Sequence, residues 1–108
     1  MGNHLLLEVY NVKYDLLNTL EPLMETIQRG ISRGNMHTLN IFSHQFTPQG
    51  LTIVFALSES HFSLHSWPEK GCAAIDIYTC GEGNPKIVAL EVLKYFNSDD
   101  YTLRELTR

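Results

Sequence analysis

The chain of 108 residues contains little cysteine, proline or tryptophan: two, four and one residues respectively. Two cysteines are too few for a disulfide-rich secreted scaffold. No apolar run reaches the roughly 18–20 residues that a membrane-spanning helix needs, and no basic region precedes the first apolar run as in a signal peptide. Basic residues are also few and scattered, 8 against 12 acidic ones, for a formal net charge of −4. Because nucleic-acid surfaces cluster Lys and Arg, we expect neither a nucleic-acid nor a membrane partner.

The two cysteines, Cys72 and Cys80, are separated by an even number of residues on one predicted strand. A period of two places both side chains on one face, but too far apart along an extended strand to form a disulfide. Free thiols are typical of a reducing compartment, so we expect a cytoplasmic protein. The length and the 44% hydrophobic composition predict a single domain, residues 1–108.

Hydrophobic periodicity predicts six strands and two helices. The predicted strands cover residues 5–10, 38–46, 51–57, 62–66, 72–79 and 101–106, and the predicted helices run from near Thr19 to residue 33 and over 86–96. Pro22 then falls in the first turn of the first helix, where proline is tolerated. Because the strands are grouped rather than alternating with helices, the pattern favours an α+β two-layer sandwich with a mainly antiparallel sheet.

Reactive side chains are concentrated in residues 57–81. The candidates for chemistry in this stretch are Ser60, His61, His65, Glu59, Glu69 and Cys80. The apolar residues between them predict strands, and functional groups on strands are held more precisely than groups on loops. The stretch therefore predicts an active site built on the sheet.

Three motifs in this stretch resemble the signature of the small prokaryotic S-adenosylmethionine decarboxylases. They are Glu-Ser-His at 59–61, Leu-His-Ser-Trp-Pro-Glu at 64–69 and Tyr-Thr-Cys-Gly at 78–81. The resemblance extends over nearly the whole chain, from His-Leu-Leu-Leu-Glu at 4–8 through Phe-Thr-Pro-Gln-Gly at 46–50. It implies a sheet with both helices on one face, and a homodimer of processed protomers with active sites near the interface.

The resemblance also implies a proenzyme that cuts itself between Glu59 and Ser60, into chains 1–59 and 60–108. Ser60 would attack the Glu59 carbonyl to give an ester, and elimination would convert Ser60 into a pyruvoyl group. The substrate amine would condense with this ketone as a Schiff base, and the group would accept the electrons released with CO₂, as pyridoxal phosphate does elsewhere. The chain lacks a phosphate-binding glycine loop and an obvious Schiff-base lysine, and the protein's own ketone would serve instead, so we expect no external cofactor. We expect no metal site either.

Further catalytic roles follow from the same resemblance. His65 resembles the base that removes the serine α-proton during processing, and a histidine titrates in the range that this work needs. Cys80 resembles the general acid that protonates the product, a role for which a thiol pKa is readily tuned. Thr52 lies where related sequences usually have a serine that polarises the scissile carbonyl. Two other residues are given no catalytic role. His61 is expected to face the side of the strand opposite to His65 and to be structural, and Cys72 is expected to belong to the core.

Three residues are candidates for binding the substrate. Glu69 resembles the carboxylate that holds the ribose hydroxyls, and Glu8 is a second candidate, for the cationic end. Phe46 could form an aromatic wall against adenine or sulfonium. Taken singly, these residues also have ordinary interpretations, as surface carboxylates and a core aromatic, just as Ser60 could be a turn serine and Cys80 a core cysteine.

The sequence also departs from the family pattern. Lys70 and Cys72 replace tyrosines, and the segment after Thr-Cys-Gly is shorter and has no tryptophan. Since these changes surround the substrate rather than the cleavage motif, two alternatives stay open. One is the same pyruvoyl chemistry on L-arginine or L-ornithine, and the other is an unprocessed relative that only binds a partner subunit or metabolite.

Overall fold

Residues 2–108 are described by the structure, a computed structural model. The six strands are β1 (Asn3–Val9), β2 (Thr38–Gln45), β3 (Leu51–Leu57), β4 (Ser60–Trp67), β5 (Cys72–Thr79) and β6 (Tyr101–Thr107). They form one sheet in the order β2-β3-β4-β5-β1-β6, and every neighbouring pair is antiparallel. The helices are α1 (Tyr14–Asn18), α2 (Leu20–Arg33) and α3 (Pro85–Phe96), and a short 3₁₀ turn spans Pro68–Lys70.

Alternation along the four inner strands separates the two faces of the sheet. Phe55, Phe62 and Ile77 are completely buried, and the rings of the neighbouring Phe55 and Phe62 meet edge to face at 6.0 Å. The intervening residues of each strand lie on the other face, which no helix of residues 2–108 covers, and we call it the open face. The expected two-layer α+β sandwich with the helices on one side is therefore confirmed.

Helix α2 covers the sheet with an apolar stripe. Leu23, Ile27 and Ile31 recur at helical spacing and are completely buried. Pro22 lies in the first turn, as expected, where its missing N–H removes no helical hydrogen bond. At the other end, the Gly34 N–H bonds to the Gly30 carbonyl at 2.8 Å.

The observed boundaries differ from the sequence prediction in two informative places. Residues 14–18 form helix α1, which ends at an extended Thr19 and is too short for its periodicity to be recognised. Strand β4 begins at Ser60, not 62, because Ser60 pairs with Leu57. Within residues 2–108, no helix is both long and apolar enough to cross a membrane.

The difference in burial predicts that a leucine-to-alanine substitution destabilises the protein more on the buried side of α2 than on the exposed side of α3. Leu23→Ala empties a completely buried position on α2 and should lower the free energy of unfolding by about 2–5 kcal/mol. Leu90→Ala on α3, where the side chain is 60% exposed, should change it by less than about 0.5 kcal/mol. Urea denaturation of both variants measures the difference, and similar losses would contradict this packing.

Candidate functional site

A two-residue turn connects β3 to β4. Leu57 pairs with Ser60, so Ser58 and Glu59 make the turn. Glu59 has φ 62°, in the left-handed region. This conformation costs a residue that has a Cβ roughly 1–2 kcal/mol. The peptide bond from Glu59 to Ser60 thus follows directly on a strained residue.

Four residues meet at this turn: Glu59, Ser60, Thr79 and Cys80, which we call the turn cluster. The Cys80 Sγ lies 2.7 Å from the Glu59 carbonyl oxygen, and the Cys80 N–H donates to the same oxygen at 3.4 Å. Two donors on one carbonyl oxygen polarise the carbonyl and would stabilise a negative charge on it, as an oxyanion hole does. This is the polarising role expected of Thr52, and here Cys80 is the residue in position for it.

The Ser60 hydroxyl is also held in the turn cluster. Ser60 lies opposite Thr79 in the β4–β5 pairing, and its Oγ donates to Thr79 Oγ1 at 3.0 Å. Ser60 is half-buried, whereas Thr79 is only 2% exposed. A hydroxyl, a strained peptide and a polarised carbonyl therefore adjoin one another, which fits the conversion of Ser60 into a pyruvoyl group.

At the far end of the same hairpin, a cavity of about 370 Å³ opens between β3 and the end of β4. We call it the histidine pocket, and its lining is Phe46, Gln49, Gly50, Leu51, Thr52, His65, Ser66, Trp67 and Glu69. Thr52 Oγ1 and His65 Nδ1 are 3.0 Å apart and hydrogen-bonded, because the two residues are paired in the β3–β4 register. The pocket therefore brings four predicted residues together, Phe46, Thr52, His65 and Glu69.

Trp67 was not among the predicted site residues, although it lines the histidine pocket 6.4 Å from the His65 ring. Its position in Leu-His-Ser-Trp-Pro-Glu, two residues after His65 and so on the same face, was the available signal. A larger groove of about 610 Å³ lies between α2 and β2, but it contains none of the predicted residues.

The turn cluster and the histidine pocket do not meet within one chain. Ser60 and His65 are five residues apart on β4, or about 16 Å at roughly 3.3 Å per residue. The spacing is odd, so His65 lies on the open face while Ser60 shares the covered face with Phe62. Within a single chain, His65 therefore cannot contact the Ser60 α-proton.

Glu8 is separate from both groups. It lies on the open face and its Oε2 accepts a hydrogen bond from Thr102 Oγ1 at 3.1 Å. The strand register places it level with His65, with Ala74 between them, or about 10 Å away across two strand spacings. Glu8 does not line the histidine pocket.

Two expectations about orientation are wrong. His61 was expected to face the side of the strand opposite to His65, but the two are four residues apart, and this even spacing places both on the open face. There His61 packs against Tyr78, with ring centroids 5.6 Å apart. Cys72 was expected in the core, but Ala73 takes the inward position and Cys72 is half-exposed opposite Trp67.

Comparison with known proteins matches the chain to a single family. Residues 3–108 match the family described as S-adenosylmethionine decarboxylase. An S-adenosylmethionine decarboxylase proenzyme from Persephonella marina is 39% identical over 86% of this chain and 70% of the relative. The proenzyme of the same name from Moorella thermoacetica is 34% identical over 100% of this chain and 87% of the relative.

The fold is similar to that of a solved structure as well. The crystal structure of the adenosylmethionine decarboxylase from Aquifex aeolicus VF5 superposes with a TM-score of 0.89 at 29% identity. The superposition covers 100% of this chain and 90% of the other. The superposed region thus includes the backbone that carries the turn cluster and the histidine pocket.

Proposed function

The chain belongs to the S-adenosylmethionine decarboxylase family, and we propose that it is a self-processing, pyruvoyl-dependent decarboxylase of S-adenosylmethionine, which yields the aminopropyl donor for spermidine synthesis. The turn cluster carries the proposal, because Ser60 follows a strained Glu59 whose carbonyl oxygen has two donors from Cys80. The relatives are named for S-adenosylmethionine, which supports this substrate over arginine or ornithine.

Self-processing begins with the Ser60 hydroxyl. Its Oγ bonds to the Glu59 carbonyl carbon, the bond from that carbon to the Ser60 nitrogen breaks, and the hydroxyl proton ends on the nitrogen, which gives an ester. Cys80 stabilises the negative oxygen of the intermediate through its thiol and its N–H. Relief of the left-handed conformation at Glu59 also favours the step.

Elimination then separates the two chains. A base removes the Ser60 α-proton, the Cβ–Oγ bond breaks, and Glu59 leaves with a free carboxylate as the end of chain 1–59. Water hydrolyses the remaining dehydroalanine with loss of ammonia and leaves the pyruvoyl group at the start of chain 60–108. When present, this group supplies the electron sink for loss of CO₂. Cys80, half-buried beside residue 60, is then the proposed proton donor to the product.

A second copy of the chain resolves the separation of His65 from Ser60. We assign the role of processing base to the partner's His65, held by the partner's Thr52, in a homodimer that stacks the open faces. A twofold axis makes such an interface self-complementary and produces two equivalent sites. Large apolar side chains on this face support the interface, since Phe42 is 60% and Leu106 is 49% exposed.

The partner's histidine pocket, which contains the partner's His65, is the proposed site for the adenosyl part of a substrate bound at residue 60. Its volume lies in the range typical of small-molecule sites. Phe46 and Trp67 offer aromatic faces for adenine or the sulfonium, an attraction of about 0.5–2 kcal/mol for the cation. Glu69 supplies a carboxylate for the ribose hydroxyls, and Glu8 remains a candidate for the cationic end.

Both cysteines are free, which supports the cytoplasm as the compartment.

Intact-mass spectrometry tests the proposal. The purified protein should consist of chains 1–59 and 60–108, the second with a blocked first residue, and should release CO₂ from S-adenosylmethionine but not from arginine or ornithine. Ser60→Ala should remain one chain without activity, because no hydroxyl is left to attack. Ser63→Ala, on the open face of the same strand, is the matched control and should be cleaved. A wild-type chain that stays uncut on incubation contradicts the proposal.

Cys80 substitutions test the second role in the turn cluster. Cys80→Ala should slow cleavage about tenfold and CO₂ release by about 10²–10³-fold, because the side-chain donor and the proton source are lost. Cys80→Ser keeps a donor and should be cleaved faster than Cys80→Ala. Cys72→Ala is the control, and both rates are measured on the same preparations. Equal losses in the Cys72 and Cys80 variants would exclude a specific role.

Mixed dimers test whether the site is shared. Ser60→Ala and His65→Ala chains should each remain uncut when produced alone. In a mixed dimer, one site combines an intact Ser60 with an intact His65, so co-expression should yield cleaved His65→Ala chain. Different affinity tags identify the cleaved chain on a gel. If no fragment appears although mixed dimers are isolated, the base acts within its own chain and the shared site is wrong.

A further inference from the structure

Thr79 has no part in the chemistry assigned so far, yet it contacts the central residue of the turn cluster. It is the last residue of β5, it pairs with Ser60 in the sheet, and it is only 2% exposed. Its Oγ1 accepts from Ser60 Oγ at 3.0 Å and from the Gly81 N–H at 3.3 Å. A buried hydroxyl therefore contacts the Ser60 hydroxyl directly beside the strained Glu59.

Cys80, the next residue, holds the other reacting group. Thr79 contacts the Ser60 hydroxyl that attacks, and Cys80 contacts the Glu59 carbonyl oxygen that receives the charge. Both contacts come from consecutive residues at the end of one strand, so the distance between them is fixed by a single peptide unit. The nucleophile and the carbonyl are therefore held in register by the same short segment.

Geometry explains why the serine needs such a contact. A serine side chain occupies three staggered rotamers, and only some of them bring Oγ near the preceding carbonyl carbon. Thr79 is itself stiff about χ1 because it is β-branched. Its buried position and its contact with the Gly81 N–H restrict it further.

We propose that Thr79 is a positioning residue for self-processing: it selects the Ser60 rotamer from which the hydroxyl attacks the Glu59 carbonyl. The inference rests on the proposed self-cleavage at Ser60 and adds to it a residue that touches the nucleophile but does not react. Misplacement of a reacting group by about 1 Å can cost on the order of 10²-fold in rate.

The test compares variants of the full chain by the rate of cleavage after in vitro translation, followed by gel electrophoresis. Thr79→Val keeps the shape without the hydroxyl and should be cleaved about 10–100-fold more slowly. Thr79→Ser keeps the hydroxyl and should be cleaved within about threefold of wild type. Thr26→Val is the matched control, because Thr26 is likewise a buried threonine with a hydrogen-bonded hydroxyl, but on α2.

Thermal unfolding of each variant accompanies the rates, and Thr79→Ala provides a second comparison with Thr79→Ser should Thr79→Val not fold. Slow cleavage in the variants without the hydroxyl and near-normal cleavage in Thr79→Ser supports the positioning role. Wild-type rates in folded Thr79→Val and Thr79→Ala overturn it, and so does equal slowing in Thr26→Val, which would reflect stability alone. An uncut wild-type chain instead overturns the self-processing on which the inference rests.

Discussion

Backbone pairing of β4 with strands on both sides is the interaction on which the site depends. Its pairing with β3 sets the two-residue turn at Glu59 and aligns Thr52 with His65. Its pairing with β5 brings Ser60 level with Thr79 and carries Cys80 to the turn. If β4 were shifted by one residue against its neighbours, Ser60 would lie on the open face. The residues of the turn cluster and of the histidine pocket would then no longer meet.

The same pairing explains how the fold can tolerate a cut in its own sheet. The proposed break lies in the turn, next to the last pair of β3 with β4, Leu57 with Ser60, so the five other pairs of these two strands are untouched. Phe62 and Leu64 on β4 are completely buried, so packing as well as strand pairing would hold β4 between β3 and β5 after the cut. The cut would free Glu59 from its left-handed turn conformation, so it would relieve the strain there while the core is kept.

Much of this architecture follows from the sequence, because strand alternation is a local property. The strands at 51–57 and 72–79 were predicted at both ends, and the motifs pointed to Ser60 and Cys80 before any geometry was known. Thr79 was missed because a threonine in a strand is fully accounted for by β-propensity. Its contact with Ser60 depends on the register of β4 with β5. The two residues are distant in sequence, and neither strand alone carries a pattern that predicts this register.

The separation of the turn cluster from the histidine pocket follows from the sequence spacing of Ser60 and His65. Five residues from Ser60 to His65 is an odd spacing, and in any regular strand it places the two side chains on opposite faces about 16 Å apart. No rotamer change spans that distance, so a role for His65 at Ser60 requires a second chain. Helices α2 and α3 already cover one face of the sheet, which leaves the open face, where His65 and Trp67 lie, as the surface through which that chain would contribute.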